Sequence, residues 1–241
     1  MIEDKISKRL CTASSHVRDG AVVADIGTDH AYLPIYLATQ GRIKKAYACD
    51  INEGPLQKAK DNISKYKLDD IIETRLQNGL EGIEEVAPTD IAICGMGGEL
   101  IASILDNSSY VRKKGIRLIL QPMTFVKELR KYLENGFSTI AENIICEDGK
   151  IYQLMCVEYD GVHRSLTNVE LELGPKNLIN KGFEFEKLLF FTIAKKQKIL
   201  NGLRMGGYDT AEIENEISEL EKLKWHLLIY TESFHSFILK T

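Results

Sequence analysis

The chain is short of several things, and each shortage removes a class of protein. Its 241 residues include five prolines and one tryptophan, and no apolar stretch much exceeds the run from Leu188 to Ala194. A bilayer-spanning helix needs roughly 18 to 20 apolar residues, so no such span and no membrane partner are expected. The five cysteines, at 11, 49, 94, 146 and 156, form no Cys-x-x-Cys pair, and the histidines do not cluster. Neither a disulfide framework nor a metal site is expected from that usage. The start, Met1-Ile2-Glu3-Asp4-Lys5, carries acids where an export signal carries basic residues, which points to the cytoplasm. A basic excess is also missing: 31 Lys and Arg stand against 35 Asp and Glu, a formal net charge of −4. That balance excludes a surface that clings to nucleic acid everywhere, and it leaves local basic patches open. What remains, 44% hydrophobic and 27% charged, is the composition of an ordinary globular chain.

Short apolar runs at 21–26, 45–49, 71–76, 91–94 and 117–120 alternate with amphipathic stretches at 31–39, 55–66, 99–105 and 125–134. Strict alternation of strand and helix signals predicts βαβ units, hence a parallel sheet covered by helices on both faces. Two further runs, 138–146 and 152–158, flank Glu147-Asp148-Gly149-Lys150 and predict an antiparallel hairpin at the end of that sheet. The pattern changes after Gly161. A polar stretch runs to Gly174-Pro175, a helix-opening boundary, and reads as a hinge or linker. Beyond it, Leu189, Ile193, Leu200 and Leu203, then Ile213, Ile217, Leu220 and Leu227, fall at helical spacing, with Lys196 and Lys224 as interruptions. Gly206-Gly207 and Asp209-Thr210 between them predict a turn and an N-cap, so the segment reads as a helical hairpin like a short coiled coil. Two domains are therefore expected, residues 1–161 and 162–241.

The strongest chemical signal is the stretch from Val22 to Pro34. An apolar strand ends at Asp25, turns through Gly27 and Thr28-Asp29-His30, and resumes as a helix at Ala31-Tyr32. Such a turn sits at the carboxyl edge of an open α/β sheet, where ligands bind. One glycine and two acids differ from the Gly-x-Gly-x-x-Gly that admits a pyrophosphate, and they suit a ligand with a cationic amine and a sulfonium. A second strand ends in Asp50-Ile51, 25 residues after Asp25. There a carboxylate can meet a ribose diol, or it can cap the following helix. Gln77-Asn78-Gly79 ends a third run, as an acceptor for an adenine amine or as an ordinary Asn-Gly turn. Gly95-Met96-Gly97-Gly98 follows a fourth run, and three glycines in four residues permit close approach of backbone to a ligand.

With these residues in place, the chain resembles the bacterial tRNA adenine-N1-methyltransferases. The resemblance rests on Asp25 to Leu33, Asp50, Gly95 to Gly98, Leu120-Gln121-Pro122, Glu147 to Lys150 with Tyr152, and the helical tail after Gly174-Pro175. It implies a Rossmann-like class I methyltransferase sheet with an antiparallel last strand pair, joined to a coiled-coil-like C-terminal hairpin. It also implies S-adenosyl-L-methionine as cofactor and adenine 22 of tRNA as the methylated site. By position, Asp25, Gly27, Thr28, Asp29 and His30 would cradle the methionine part of the cofactor, with Gly95, Met96 and Gly97 beside it. Asp50 and Ile51 would hold the ribose, and Gln77, Asn78 and Gly79 the adenine. This chain departs from the family at Asn78, where Asp is commoner, and at Met123, where Asn is.

For catalysis the expected residues are Asp29, Tyr32 and Gly95. Asp29 reads equally as a contact to the cofactor's amine or as a helix cap, His30 as an oriented structural histidine, and Tyr32 as a core residue of its helix. Adenine N1 is unprotonated at neutral pH, so attack needs positioning and an acceptor near the base's amine more than a strong base. Recognition of tRNA would fall to basic clusters. Lys8 and Arg9 near the start and Lys195, Lys196 and Lys198 in the tail are the expected contacts. Lys5, the 42–45 cluster and the 112–117 cluster are further candidates, each with a solvated face as the competing reading. A monomer is the expected state. Two other functions fit the same residues: methylation of a small molecule, and a non-catalytic cofactor-binding or dimerisation scaffold.

Overall fold

In a computed structural model, the backbone is described for residues 1–238 and the side chains as far as Trp225. The alternating pattern folds into α1 (Lys8–His16), β1 (Ala21–Ile26), α2 (Tyr32–Thr39), β2 (Ile43–Asp50), α3 (Glu53–Lys65) and β3 (Ile72–Leu76). It continues with β4 (Asp90–Gly97), α4 (Gly98–Asp106), β5 (Arg117–Thr124), α5 (Val126–Leu133), β6 (Asn135–Glu147) and β7 (Lys150–His163). The strands form one sheet in the order β3-β2-β1-β4-β5-β7-β6. The first five run parallel, and β7 runs antiparallel to both neighbours, as the resemblance implies. Chain order reverses between β1 and β4, which opens a crevice beyond their carboxyl ends.

Burial explains the pattern. Val23, Ala24, Ile26, Ile91, Ala92, Ile93, Leu118, Ile119 and Leu120 are fully or almost fully buried, because the central parallel strands are covered on both faces. One face packs on Leu33, Ile35, Leu37, Ala59 and Ile63 from α2 and α3. The other packs on Ile101, Leu105, Leu129 and Leu133 from α4 and α5. The final hairpin turns at Asp148 and Gly149, both with positive φ (49° and 72°), a two-residue turn that matches strand twist. Its strands outrun the apolar runs that announced them, since ladder hydrogen bonds continue into polar sequence.

The glycine run after the fourth apolar segment differs from expectation. It is the bulged end of β4, with Met96 opposite Pro122 and Gly97 opposite Thr124. Its glycines serve mainly a close approach between two backbones. A Cβ on Gly98 would lie 2.1 Å from the Phe125 carbonyl oxygen, and one on Gly97 would lie 3.3 Å from Thr124 Oγ1.

Contacts divide the chain into compact units of 1–165 and 166–241. In the second, Thr167 and Glu170 close a capping box at the start of α6 (Asn168–Leu173), and Pro175 opens α7 (Pro175–Asn180). The short α6 occupies part of the stretch read as a linker, six residues being too few for a periodic apolar signal, while α7 begins at the expected helix-opening Pro175. Then come α8 (Phe183–Met205) and α9 (Ala211–Ile238), the expected helical pair. Phe185, Leu188, Leu189, Ile193, Leu200 and Leu220 are buried within this unit. The Leu227 side chain lies outside the described residues.

A buried ion pair ties α5 to the hairpin. Arg130 donates from Nε and Nη2 to Glu142 Oε1 at 2.9 and 2.8 Å, and from Nη2 to Gln153 Oε1 at 2.7 Å. Both charged side chains are at most 3% exposed. Removing one partner of such a pair leaves a buried charge uncompensated and costs about 3–5 kcal/mol. Arg130→Met is therefore expected to destabilise the protein by about that much in denaturant titration. A loss below about 1 kcal/mol would show that the pair is not needed.

Candidate functional site

Beyond the carboxyl end of β1 lies a cavity of about 360 Å³. Its wall is built from the first turn of α1, the loop from Asp25 to Leu33, the end of β4 at Cys94 and Gly95, and Gln121 of β5. The loop is held from several sides. The amides of Gly27 and Thr28 both donate to the Cys49 carbonyl, at 2.8 and 2.9 Å. Thr28 Oγ1 accepts from Ala31 N–H at 3.2 Å, and Asn62 Nδ2 donates to the His30 carbonyl at 3.1 Å. Gly27 has φ 77°, a conformation that favours glycine, and a Cβ there would displace the flexible end of Met96, whose Cε would lie 2.0 Å away. Ala31 is a fully buried alanine at φ 55°, the strained residue from which α2 starts.

Asp25 is 7% exposed at the floor of this cavity. Burial pushes its carboxyl up to about 6, the charge of Asp50 adds to the rise, and a hydrogen bond from Thr28 opposes it. A carboxylate destabilised by its own dry surroundings is a strong receptor for a cation, because the cation repays desolvation already incurred. Asp29 points outward, 66% exposed, with His30 Nε2 at 3.2 Å and Lys58 Nζ at 3.7 Å. The rings of His30 and Tyr32 stack, 5.0 Å apart and 11° from parallel, and both residues line the cavity.

Of the residues expected here, the cavity brings together Arg9, Asp25, Gly27, Thr28, Asp29, His30, Tyr32 and Gly95. Gly95 is the member of the glycine run that faces it: φ is 82° and a Cβ would meet nothing within 4 Å. Met96 and Gly97 lie outside the cavity wall, Met96 beside Gly27 and Gly97 beside Thr124. Asp50, Ile51, Gln77, Asn78 and Gly79 lie outside this wall, on the adjacent ends of β2 and β3. Asp50 Oδ1 accepts from Asn52 N–H at 2.7 Å in a tight turn, so it does not cap α3 through its side chain. Beside it, Ile51 and Leu76 are exposed apolar residues at 62% and 59%, a ledge that suits a flat aromatic ring. Gln77 donates to the Gly79 carbonyl at 2.8 Å while its buried Oε1 has no hydrogen-bond partner, and Asn78 donates to Glu81 at 2.8 Å. A buried acid, an orphaned amide oxygen and an apolar ledge along one sheet edge fit a ligand with a cationic head, a ribose and a purine.

Ser7, Leu10, Ala31, Leu33, Cys94 and Gln121 complete the wall, and sequence reasoning did not single them out as binding residues. Gln121 stood in a quoted motif; the others look like ordinary core or cap positions. Among the basic candidates, Lys8 is exposed, Arg9 is held inside the cavity wall, and Lys195 and Lys198 are exposed on α8. Lys196 is corrected. It is buried between Glu172 and Glu216, with Nζ 2.6 Å from each, and so is taken up by an internal ion pair rather than a solvent-facing contact. Arg42 bonds Asp19, Arg112 bonds Asp106 and Arg117 bonds Glu158, which gives those clusters structural employment. No helix among the described residues is long and apolar enough to cross a membrane.

Comparison with known proteins agrees with this geometry. A family model described as a methyltransferase domain matches residues 6–155. The tRNA (adenine(22)-N(1))-methyltransferase of Bacillus subtilis is 35% identical over 228 residues, covering 91% of this chain and 94% of that protein. A Streptococcus pneumoniae structure in complex with S-adenosyl-L-methionine is 35% identical with TM-score 0.80, covering 90% of this chain and 98% of that one. The M. capricolum TrmK structure, in complex with S-adenosyl-homocysteine, is 34% identical with TM-score 0.77, covering 90% of this chain and 97% of that one. With the fold and nearly the full length matched, the chain belongs to the methyltransferase-domain family and, within it, to the tRNA (adenine(22)-N(1))-methyltransferases.

Proposed function

We propose that this protein transfers a methyl group from S-adenosyl-L-methionine to N1 of adenine 22 in tRNA. The observation that carries the reading is the buried Asp25 carboxylate on the floor of a cavity at the sheet's switch point, in a chain 35% identical along nearly its whole length to a tRNA (adenine(22)-N(1))-methyltransferase. When bound, the cofactor supplies an electrophilic methyl on a sulfonium. Asp25 receives its ammonium, with Gly27, Thr28 and His30 shaping the turn around the methionine part and Gly95 closing the opposite side. Asp50 takes the ribose hydroxyls, Ile51 and Leu76 flank the purine, and Gln77 with Asn78 and Gly79 edges it.

In the transfer itself, the N1 lone pair forms the new N–C bond while the S–C pair returns to sulfur. No base has to remove a proton first, so the chain's work is alignment. The product ring is cationic. Asp29, at the cavity mouth, offers a carboxylate toward that developing charge, and the open backbone at Gly95 offers a carbonyl. The stacked His30 and Tyr32 present a flat face to the exposed base. The proposed working unit is a monomer acting on tRNA in the cytoplasm. Residues 162–241 are assigned as the tRNA-contacting arm, with Lys195 and Lys198 of α8 and Lys8 of α1 as phosphate contacts.

Three outcomes are expected. Incubation with S-adenosyl-L-methionine and unmodified tRNA yields N1-methyladenosine by nucleoside mass analysis, and a transcript substituted at adenine 22 yields none. Absence of the product, or its persistence in the substituted transcript, refutes the assignment. Second, Asp25→Asn weakens S-adenosyl-homocysteine binding by at least about tenfold in calorimetry, the scale of one charge-assisted contact. The same variant is expected to raise the thermal midpoint of the free protein. The folded Asp25 titrates at about 6, above the ordinary 3.8, so the folded state holds the extra proton between those values. Stability from this group is thus lost as pH rises from about 4 to about 6, and the full cost remains at neutral pH. Wild-type affinity for the cofactor should correspondingly fall as pH drops below about 6; a flat profile from pH 5 to 8 contradicts the role of Asp25. Third, the double variant Lys195→Ala, Lys198→Ala weakens tRNA binding and lowers its salt slope by about two; an unchanged slope removes these lysines from the interface.

A further inference from the structure

Arg9 is the residue of the cavity wall with a permanent positive charge, and the transfer described above gives it no task. Its placement is firmly determined. Nε donates to Glu147 Oε2 at 2.6 Å, and Cζ sits 4.6 Å from the centre of the Tyr152 ring. The other Glu147 oxygen accepts from the Lys8 backbone N–H, one of the amides that the start of α1 leaves unpaired. Burial alone would raise the Glu147 carboxyl, but the bonds from Arg9 and from the Lys8 amide outweigh it and hold it below the ordinary carboxylate range. Arg9 and Glu147 side chains are 24% and 13% exposed, so this pair is largely shielded from water.

The orientation leaves the other edge of the guanidinium available. Nη1 faces Met123 Sδ at 2.9 Å, and a thioether is a weak acceptor. Nη2 has no hydrogen-bond partner among the described residues. An arginine clamped through Nε and stacked on one face presents its two terminal nitrogens as a fork, the geometry that grips a carboxylate or phosphate bidentately. We propose that Arg9, oriented by Glu147 and Tyr152, is the oxyanion anchor of this cavity, and that Glu147 and Tyr152 are positioning residues acting through it. The proposal rests on the methyl-transfer reading, which supplies two oxyanions able to reach the site: the carboxylate of the cofactor's methionine part and the phosphate of the nucleotide entering the cavity. Asp25 and Arg9 on one wall also match the opposite charges of an amino-acid head group.

The test uses the full chain as wild type, Arg9→Gln, Arg9→Lys and Glu147→Gln, each checked for thermal midpoint. One arm measures calorimetric affinity for S-adenosyl-homocysteine and for its decarboxylated analogue; the other measures tRNA affinity across salt. If the carboxylate is the ligand, wild type prefers S-adenosyl-homocysteine to the analogue by about tenfold or more, and Arg9→Gln abolishes the preference. If the phosphate is the ligand, Arg9→Gln weakens tRNA binding and lowers the salt slope by about one, with both small ligands bound as before. Arg9→Lys, which keeps the charge without the fork, recovers part of the loss in either case. Glu147→Gln reproduces a smaller loss in the same arm at a near wild-type thermal midpoint, which a merely structural role would not do. Unchanged affinities in both arms for Arg9→Gln overturn the proposal. The homocysteine arm involves no methyl transfer to tRNA, so it reads Arg9 even if adenine 22 proves not to be the substrate.

Discussion

The arrangement of this protein turns on one costly placement, an acidic side chain kept almost dry at the carboxyl end of the central strand β1. Asp25 lies between β2 and β4, where both faces of the sheet are covered, and its ionised form is destabilised by that burial. Folding alone gains nothing from such a group. In the function proposed above, a cationic ligand converts that cost into affinity, and the surrounding turn keeps the carboxyl dry and fixed. Two amides bound to the Cys49 carbonyl, a threonine that holds both Asp25 and Ala31, and a methionine packed against Gly27 all serve that end.

The second constraint is backbone proximity. Just past the ends of β4 and β5, the backbones approach so closely at Gly98 and Phe125 that no side chain fits between them. Two helices beside the site begin from non-glycine residues with positive φ, α2 from Ala31 at 55° and α5 from Phe125 at 53°. Strain of this kind is concentrated where surrounding contacts over-determine the backbone. Both turns hang from the carboxyl edge of the sheet, so the rigidity of the core is transmitted to the cavity rather than lost in flexible loops.

Much of the fold was legible in the sequence because its signals are local. Apolar runs alternating with amphipathic stretches specify parallel strands and covering helices, and an Asp-Gly step between two β-rich runs specifies the final hairpin. The position of Asp25 at the end of an apolar strand was legible for the same reason, and the structure places it in the wall of the cavity. The less legible features depend on partners distant in sequence. Lys196 looked like a solvent-facing cation until Glu172 and Glu216 were found on either side of it, which also explains why a lysine interrupts the apolar period of α8. The neighbours of Met96 and Gly97, Gly27 and Thr124, lie in other loops and were not legible from the glycine run itself. Arg9, Glu147 and Tyr152 come together across well over a hundred residues of chain, and no spacing rule announces such a cluster.

The central claim is that Asp25 is held at a raised titration midpoint for the sake of a cationic ligand. Carbon-13 NMR of the Asp25 carboxyl, titrated in the free protein and with S-adenosyl-homocysteine bound, measures that directly. The account predicts a midpoint near 6 in the free protein and a marked downward movement on binding. An ordinary carboxylate midpoint in the free protein, or one that binding does not move, would contradict it.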